Sequence, residues 1–324
     1  MSRAAALAVL KIVVTAILLY LFIRRTDFAG VAAALSQLSL GLIITLTFLN
    51  VTGLLISAYK WHMLLPESRF KGLVVACFAS YYIGLLLPGQ FAQEAAKAYY
   101  LSLGESPRMH RIAASVVVDK IISIIGLLVV GCVGLACSST LLPRALAWLF
   151  LTFTLLAIMM LFSMRVTWLY SLACRYLGYL SAWLPTRQKF FGGGSRVLDA
   201  WHNYSKNIPL LVGNILVAIL YQVIGVSMFY FLSRGLQVPI GFFDWSWIVG
   251  SLTLALFLPL TIGGLGVREG TLIGVLAMFG YPKETAVALS MVAFSFVLML
   301  AIIGAALSIG NRIQRRSNSI APQV

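Results

Sequence analysis

The sequence predicts an all-α, polytopic membrane protein of about six to eight transmembrane helices, with two Pro/Gly-broken hairpins arranged as an inverted repeat. Three observations carry this expectation. Hydrophobic residues fill 61% of the 324 positions and charged residues only 10%, with a mean hydropathy of +0.97. A soluble domain carries about 25% charged residues and has no means of hiding so much apolar surface. The apolar residues are also gathered into runs near the roughly 20 residues that a bilayer crossing needs. Finally, two of these runs stop at Leu-Pro, at Leu87-Pro88 and Leu258-Pro259.

A first run covers residues 5–23 and ends at Arg24, Arg25 and Asp27. Lys11 interrupts it and no small-residue cleavage site precedes Arg24-Arg25, so it reads as a retained span rather than a signal peptide. Residues 28–39 are short and amphipathic, suited to the interface. A second span is expected at 40–59, followed by the basic, aromatic-flanked loop YKWHMLLPESRFK. Residues 70–87 are apolar up to Pro88-Gly89, and 90–103 are helix-like but mixed. Long runs follow at about 112–136 and 143–163. Residues 164–207 differ: six basic residues face Asp199 alone, Trp168, Tyr170, Tyr176, Tyr179 and Trp183 are interleaved, and Gly192-Gly193-Gly194 is expected to divide the segment. This reads as amphipathic surface helices on anionic lipid; nucleic acid is the rival partner, disfavoured because the segment is tethered between spans. Residues 208–232 form another span, 245–259 stop at Pro259, 271–280 are a short run, and 285–309 are the last span. The tail 310–324 is basic and expected to be disordered.

Lys and Arg bias sets topology. The loops 60–71, 104–111 and 164–207, the C-terminal tail and Arg3 hold 15 of the 24 basic residues and three of the nine acids. Placing them in the cytoplasm puts both termini inside, in a plasma membrane of the bacterial inner-membrane type. Segment 70–103 then enters and leaves on the cytoplasmic side, and segment 245–280 on the outer side. They span 34 and 36 residues, short of the roughly 40 that two full crossings need, so re-entrant hairpins are expected. The chain thus reads as one membrane domain, 1–324, with a first half-repeat at 40–136 and an oppositely oriented second at 208–309. Paired, Pro/Gly-interrupted segments in inverted halves point to a transporter site near the midplane. Two Pro kinks in ordinary spans are the plainer alternative.

Seven charges fall within apolar segments: Lys11, Glu94, Lys97, Asp119, Lys120, Arg268 and Glu269. Each costs at least ~2.5 kcal/mol at mid-bilayer, so each should face protein or a water-filled cavity. Lys11 can snorkel. Glu94 and Lys97, three apart, can pair on one helix face. Arg268-Glu269 follows Gly263-Gly264-Leu265-Gly266, where a half-helix would begin. Free N–H groups and the positive dipole end there suit an anion, and an adjacent Arg adds bidentate phosphate recognition. The expectation is Arg268 and Lys120 on a phosphate, Glu94, Asp119 and Glu269 in charge balance or coupling, Lys97 beside them, and Gly263, Gly264 and Gly266 for close backbone approach. Pro88 and Pro259 make the breaks. Structural ion pairs stitching the hairpins are the bland alternative.

Cys77, Cys132, Cys137 and Cys174 sit singly, with no metal-ligand or disulfide spacing. His62, His110 and His202 all fall in expected loops, and no nucleophile elbow, H-E-x-x-H or P-loop is present. No cofactor, metal or catalytic residue is therefore expected, and a membrane-embedded lipid-modifying enzyme is the weaker alternative. A scaffold for glycosyltransferases, using the basic surface 164–207, is another.

The motifs LLLPGQFAQEAAKAYYL (85–101), VVVDKIIS (116–123), LPLTIGGLGVREGTLIGVL (258–276) and YKWHMLL (59–65) resemble the lysylphosphatidylglycerol synthase transmembrane family, also called the flippase-like domain family. GGLGVRE is the most specific of them. The resemblance covers nearly the whole chain and implies an all-helical protein that moves lipids between leaflets. It implies an anionic phospholipid or a polyprenyl-phosphate-linked sugar as substrate. The synthases carry a fused aminoacyl-transferase domain; this chain stops at Val324, so lysyl-lipid synthesis is not expected of it. Gln90-Phe91-Ala92-Gln93 before Glu94 departs from the family's Arg or Gly-Glu pattern, which bears on headgroup choice.

Overall fold

The computed structural model describes residues 36, 38–86, 90–102, 109–138, 144–163, 165–183, 188–257, 264 and 266–320. They form α1 (Leu40–Leu64), α2 (Phe70–Leu86), α3 (Gln90–Ser102), α4 (Met109–Cys137), α5 (Arg144–Ser163), α6 (Thr167–Trp183), α7 (Gln188–Lys206), α8 (Ile208–Gly235), α9 (Phe242–Phe257), α10 (Val267–Met278) and α11 (Lys283–Ile320). Leu40–Leu64, Met109–Cys137, Ile208–Gly235 and Lys283–Ser308 are each long and apolar enough to cross a bilayer. At about 1.5 Å per residue each exceeds the roughly 30 Å hydrocarbon core. A fifth crossing is counted if α5 and the start of α6, bent by 79°, form one span. The apolar helices Phe70–Gly84 and Phe242–Phe257 are shorter, each reaching only about 24 Å. The expected span at 5–23 with Lys11, most of 28–39, and Pro88 and Pro259 lie outside the described residues.

Local sequence explains several boundaries. Ser39 caps α1 by accepting from the Leu42 amide at 3.2 Å, and Asn207 caps α8 by accepting from Leu210 at 3.2 Å, with proline in the first turn where its missing N–H costs nothing. Three boundaries differ from expectation. Helix α1 does not stop at residue 59 but continues to Leu64, because Lys60 and Trp61 find buried partners inside the bundle. Helix α7 runs through Gly192-Gly193-Gly194 without a break. The basic tail continues α11 as helix to Ile320.

Helices α1 and α8 pack side by side and antiparallel. Leu42 lies against Gly235, Asn50 Nδ2 meets Met228 Sδ at 3.1 Å, Gly53 faces Tyr221 and Ile224, and Met63 faces Gly213. Around this pair the contacts recur crosswise. Helix α2 packs on α11 and α9 on α4; α1 touches α2 as α8 touches α9; α3 touches α4 as α10 touches α11. Small residues let these backbones meet closely. A Cβ on Gly304 of α11 would stand 2.1 Å from the Phe78 carbonyl of α2, and one on Gly134 of α4 would stand 2.6 Å from the Phe243 carbonyl of α9.

Helix α5 is peripheral. Its outward residues, Trp148, Leu155 and Met159 among them, are exposed, while Phe150 is fully buried. The Phe150 ring seats between Gly131 of α4 and Gly250 of α9, where added Cβ atoms would come within 2.3 and 2.8 Å of it. Helices α6 and α7 pack together: Tyr170 donates to Asp199 at 2.5 Å and stacks on His202 at 4.3 Å. Trp168, Leu172, Tyr176 and Tyr179 are exposed at helical spacing along one stripe of α6.

Candidate functional site: a charged cavity inside the bundle

A cavity of about 380 Å³ opens between α1–α4 and α8–α11, and every one of these eight helices contributes to its wall. Among the described residues, five charged side chains line it: Glu94, Lys97, Asp119, Lys120 and Arg268. Between them stand uncharged polar groups, among them Asn50, Ser80, Tyr81, Tyr221, Gln222 and Thr253.

The charges of α1, α3 and α4 form one alternating chain. Lys60 Nζ lies 3.1 Å from Asp119 Oδ1, and Lys97 Nζ lies 3.1 Å from Asp119 Oδ2. Lys97 reaches Glu94 at 3.8 Å, and Glu94 reaches Lys120 at 3.3 Å. Lys60 also donates to the Asp119 carbonyl at 3.2 Å and to Ser123 Oγ, while the Lys60 carbonyl accepts from Asn214 of α8 at 2.7 Å. Lys97 sits over the Trp61 ring at 4.3 Å, and that indole donates to Ser115 Oγ at 3.0 Å. Each carboxylate thus bridges two ammonium groups, the condition under which ions are tolerated away from water. The chain grades outward: the Lys60 and Asp119 side chains are 1% and 3% exposed, Lys120 and Glu94 17% and 22%.

Across the cavity, Arg268 is buried and its guanidinium lies 4.9 Å from the centre of the Phe294 ring. Gly264 and Gly266 take φ of +73° and +82°, a region open to glycine and strained for other residues. A Cβ at Gly264 would come within 2.6 Å of Leu256. Glu269 is turned away from the cavity: it accepts from the Gly266 amide at 2.6 Å and from Ser290 of α11 at 2.5 Å. It is the capping carboxylate of α10, so the chain supplies its own anion at the helix N-terminus where a ligand was expected.

Of the residues singled out in the sequence, Glu94, Lys97, Asp119, Lys120, Gly264 and Arg268 are brought to one cavity. Gly266 sets the start of α10, and Gly263, Pro88 and Pro259 lie outside the described residues. The expected Glu94–Lys97 pair exists, but Asp119 is the closer partner of Lys97. Lys60 was placed in a basic loop and is instead 1% exposed within α1. The signal was present: Asn50, Ser57 and Lys60 are seven and three apart and share one face of the helix. Among the described residues no group of three or more His, Cys, Asp or Glu side chains is placed to hold a metal ion.

Residues 8–304 match the sequence model of a family described as the lysylphosphatidylglycerol synthase TM region. A search of curated proteins gives no match.

Proposed function

We propose, for a chain that belongs to the family of the lysylphosphatidylglycerol synthase transmembrane region, that it translocates a lipid with an anionic phosphate headgroup between the leaflets of its membrane. Membrane residence in a lipid-related process follows from the family and the apolar helices. The translocation reading goes further, and one observation carries it: the charged, polar cavity inside an otherwise apolar bundle. Charge at this depth is costly, and a headgroup crossing the hydrocarbon needs such a polar shelter. The cations hold the phosphate, with Arg268 and Lys120 facing it from opposite halves, while the acyl chains remain in the bilayer.

The same reading explains the architecture. Antiparallel α1 and α8, with contacts that recur when α1–α4 exchange with α8–α11, are what two inverted repeats around a central site would give. Rocking one half against the other then exposes the cavity to each leaflet in turn. On this proposal both termini are cytoplasmic and the protein acts without catalytic chemistry.

The test is a lipid-scrambling assay with purified protein in liposomes carrying fluorescent phosphatidylglycerol or a fluorescent polyprenyl-phosphate sugar. Transport is expected from the wild type and lost in Arg268→Ala, with the variant still inserted and monodisperse. Normal transport by Arg268→Ala removes the phosphate site; no transport by folded wild type removes the translocation reading.

A further inference from the structure

Among the described carboxylates around the cavity, Glu94 is held most loosely. Asp119 has an ammonium 3.1 Å from each oxygen, Lys60 on one and Lys97 on the other. Glu269 is taken up by the α10 cap, accepting at 2.6 and 2.5 Å from Gly266 and Ser290. Glu94 Oε1 accepts from Lys120 at 3.3 Å. Its Oε2 is buried and accepts no hydrogen bond, and the Lys97 ammonium stands 3.8 Å from it. Lys97 itself donates to Asp119 at 3.1 Å. The charge of Glu94 therefore leans on Lys120, the same ammonium that the translocation reading gives to the phosphate.

We infer that Glu94 is a proton-binding site coupled to the headgroup site, so that each anionic lipid crosses together with a proton. This rests on the translocation reading for the movement and on the geometry of Glu94 for the proton. An anion arriving at Lys120 takes that ammonium from Glu94 and sets a like charge beside it. Two anions sharing a poorly solvated site do not both stay ionised, and the carboxylate is the one that becomes neutral. Glu94 takes one proton from water on the side where the lipid enters. It returns that proton to water on the side where the lipid leaves, and no bond in the lipid changes. The coupling is reciprocal, so a protonated Glu94 also releases Lys120 to the anion. One anion and one proton together add no net charge to the cavity, which removes part of the cost of charge at this depth.

The neighbours of Glu94 suit this role. Helix α3 packs on α2, α4 and α9. Its own Lys97, with Asp119 and Lys120 of α4, forms the ion-pair chain. Helix α2 brings Cys77 and Tyr81, α8 brings Tyr221 and α1 brings Lys60, each within electrostatic reach of Glu94. Arg268 of α10 lines the cavity as well, whereas the lining residues of α9, such as Thr253 and Phe257, carry no charge. Tyr81 and Tyr221 hydrogen-bond to each other, a hydroxyl pair able both to donate and to accept beside the carboxylate. A polar cavity of about 380 Å³ has ample room for the water that delivers the proton.

The experiment uses the full chain, with short-chain phosphatidylglycerol for binding in detergent and fluorescent phosphatidylglycerol for movement in liposomes. The phosphodiester stays ionised from mildly acidic to mildly alkaline pH, so a titrating group in this range belongs to the protein. Titration calorimetry in two buffers of different ionisation heat counts the protons taken up on binding. The wild type is expected to take up as much as about one proton per lipid, and its affinity to fall by up to about tenfold per unit rise in pH. In liposomes, a gradient of about one pH unit, acid outside, is expected to shift the label toward the inner leaflet by up to about tenfold. Glu94→Gln is expected to bind lipid without proton uptake and to ignore the gradient, and Glu94→Asp, which keeps a titrating carboxyl, to restore both responses. Proton uptake that persists in folded Glu94→Gln overturns the inference, as does binding and movement by the wild type without proton uptake; transport stands in either case. Proton-linked binding without movement under any gradient overturns translocation and leaves the proton site intact. A folded wild type that binds no lipid overturns both.

Discussion

Lys60 offers a test of the whole charge chain, because it is the member farthest from the cavity. At an effective dielectric near 20, a charge pair at 3.1 Å is worth about 5 kcal/mol, and breaking a buried pair costs about 3–5 kcal/mol once desolvation is counted. Lys60→Met removes one of two counter-ions of Asp119 and belongs at the low end, since Lys97 still holds the other oxygen at 3.1 Å. Asp119→Asn belongs at the high end, because it leaves Lys60 and Lys97 facing each other without the carboxylate between them. Combining the two leaves the Lys97–Glu94–Lys120 segment in its original balance, so the double variant is expected to be more stable than Asp119→Asn alone. At about 2.1 cal/mol/K of unfolding entropy per residue, a chain of 324 residues shifts Tm by about 1.5 °C per kcal/mol, so the single variants should melt roughly 4–7 °C lower. Thermal unfolding in a fixed detergent, with a double-mutant cycle, measures this. Additive effects, or single-variant losses below about 0.5 kcal/mol, refute the reading that these charges form one buried network.

The remaining predictions concern packing and topology. Gly304→Val should abolish the close α2–α11 crossing, because its Cβ meets the Phe78 carbonyl at 2.1 Å and backbone cannot yield as a side chain can. The expected result is aggregation on size-exclusion chromatography, whereas Gly225→Val, where a Cβ has nothing within 4 Å, should remain monodisperse. Single cysteines at 140 and 283 should react with an impermeant reagent from outside and those at 105 and 190 should not; labelling of 105 from outside refutes the inverted topology.

The sequence made the helical membrane class legible because apolar run length is a one-dimensional property. It also revealed Glu94, Lys97, Asp119, Lys120 and Arg268, since a charge inside such a run must have a partner or a cavity. It did not reveal which partner. Lys97 takes Asp119 more closely than its helix neighbour Glu94 because α3 and α4 cross there, and crossing points leave no trace in local spacing. Lys60 was hidden by its position at the end of an apolar run beside aromatic residues, a pattern that equally describes an interfacial loop. Glu269 was read as a site residue because it adjoins Arg268. Helix geometry sends the two in different directions, one into the cavity and the other back over the first turn of α10.

The seat of Phe150 between Gly131 and Gly250 has an evolutionary consequence. One ring fills a space owned jointly by three helices, so no one of the three positions can drift alone. A methyl at either glycine evicts the ring, and a smaller residue at 150 leaves a hole between α4 and α9. Lineages should change these three positions together or keep them all. The outward face of α5, exposed among the described residues, is free to diversify.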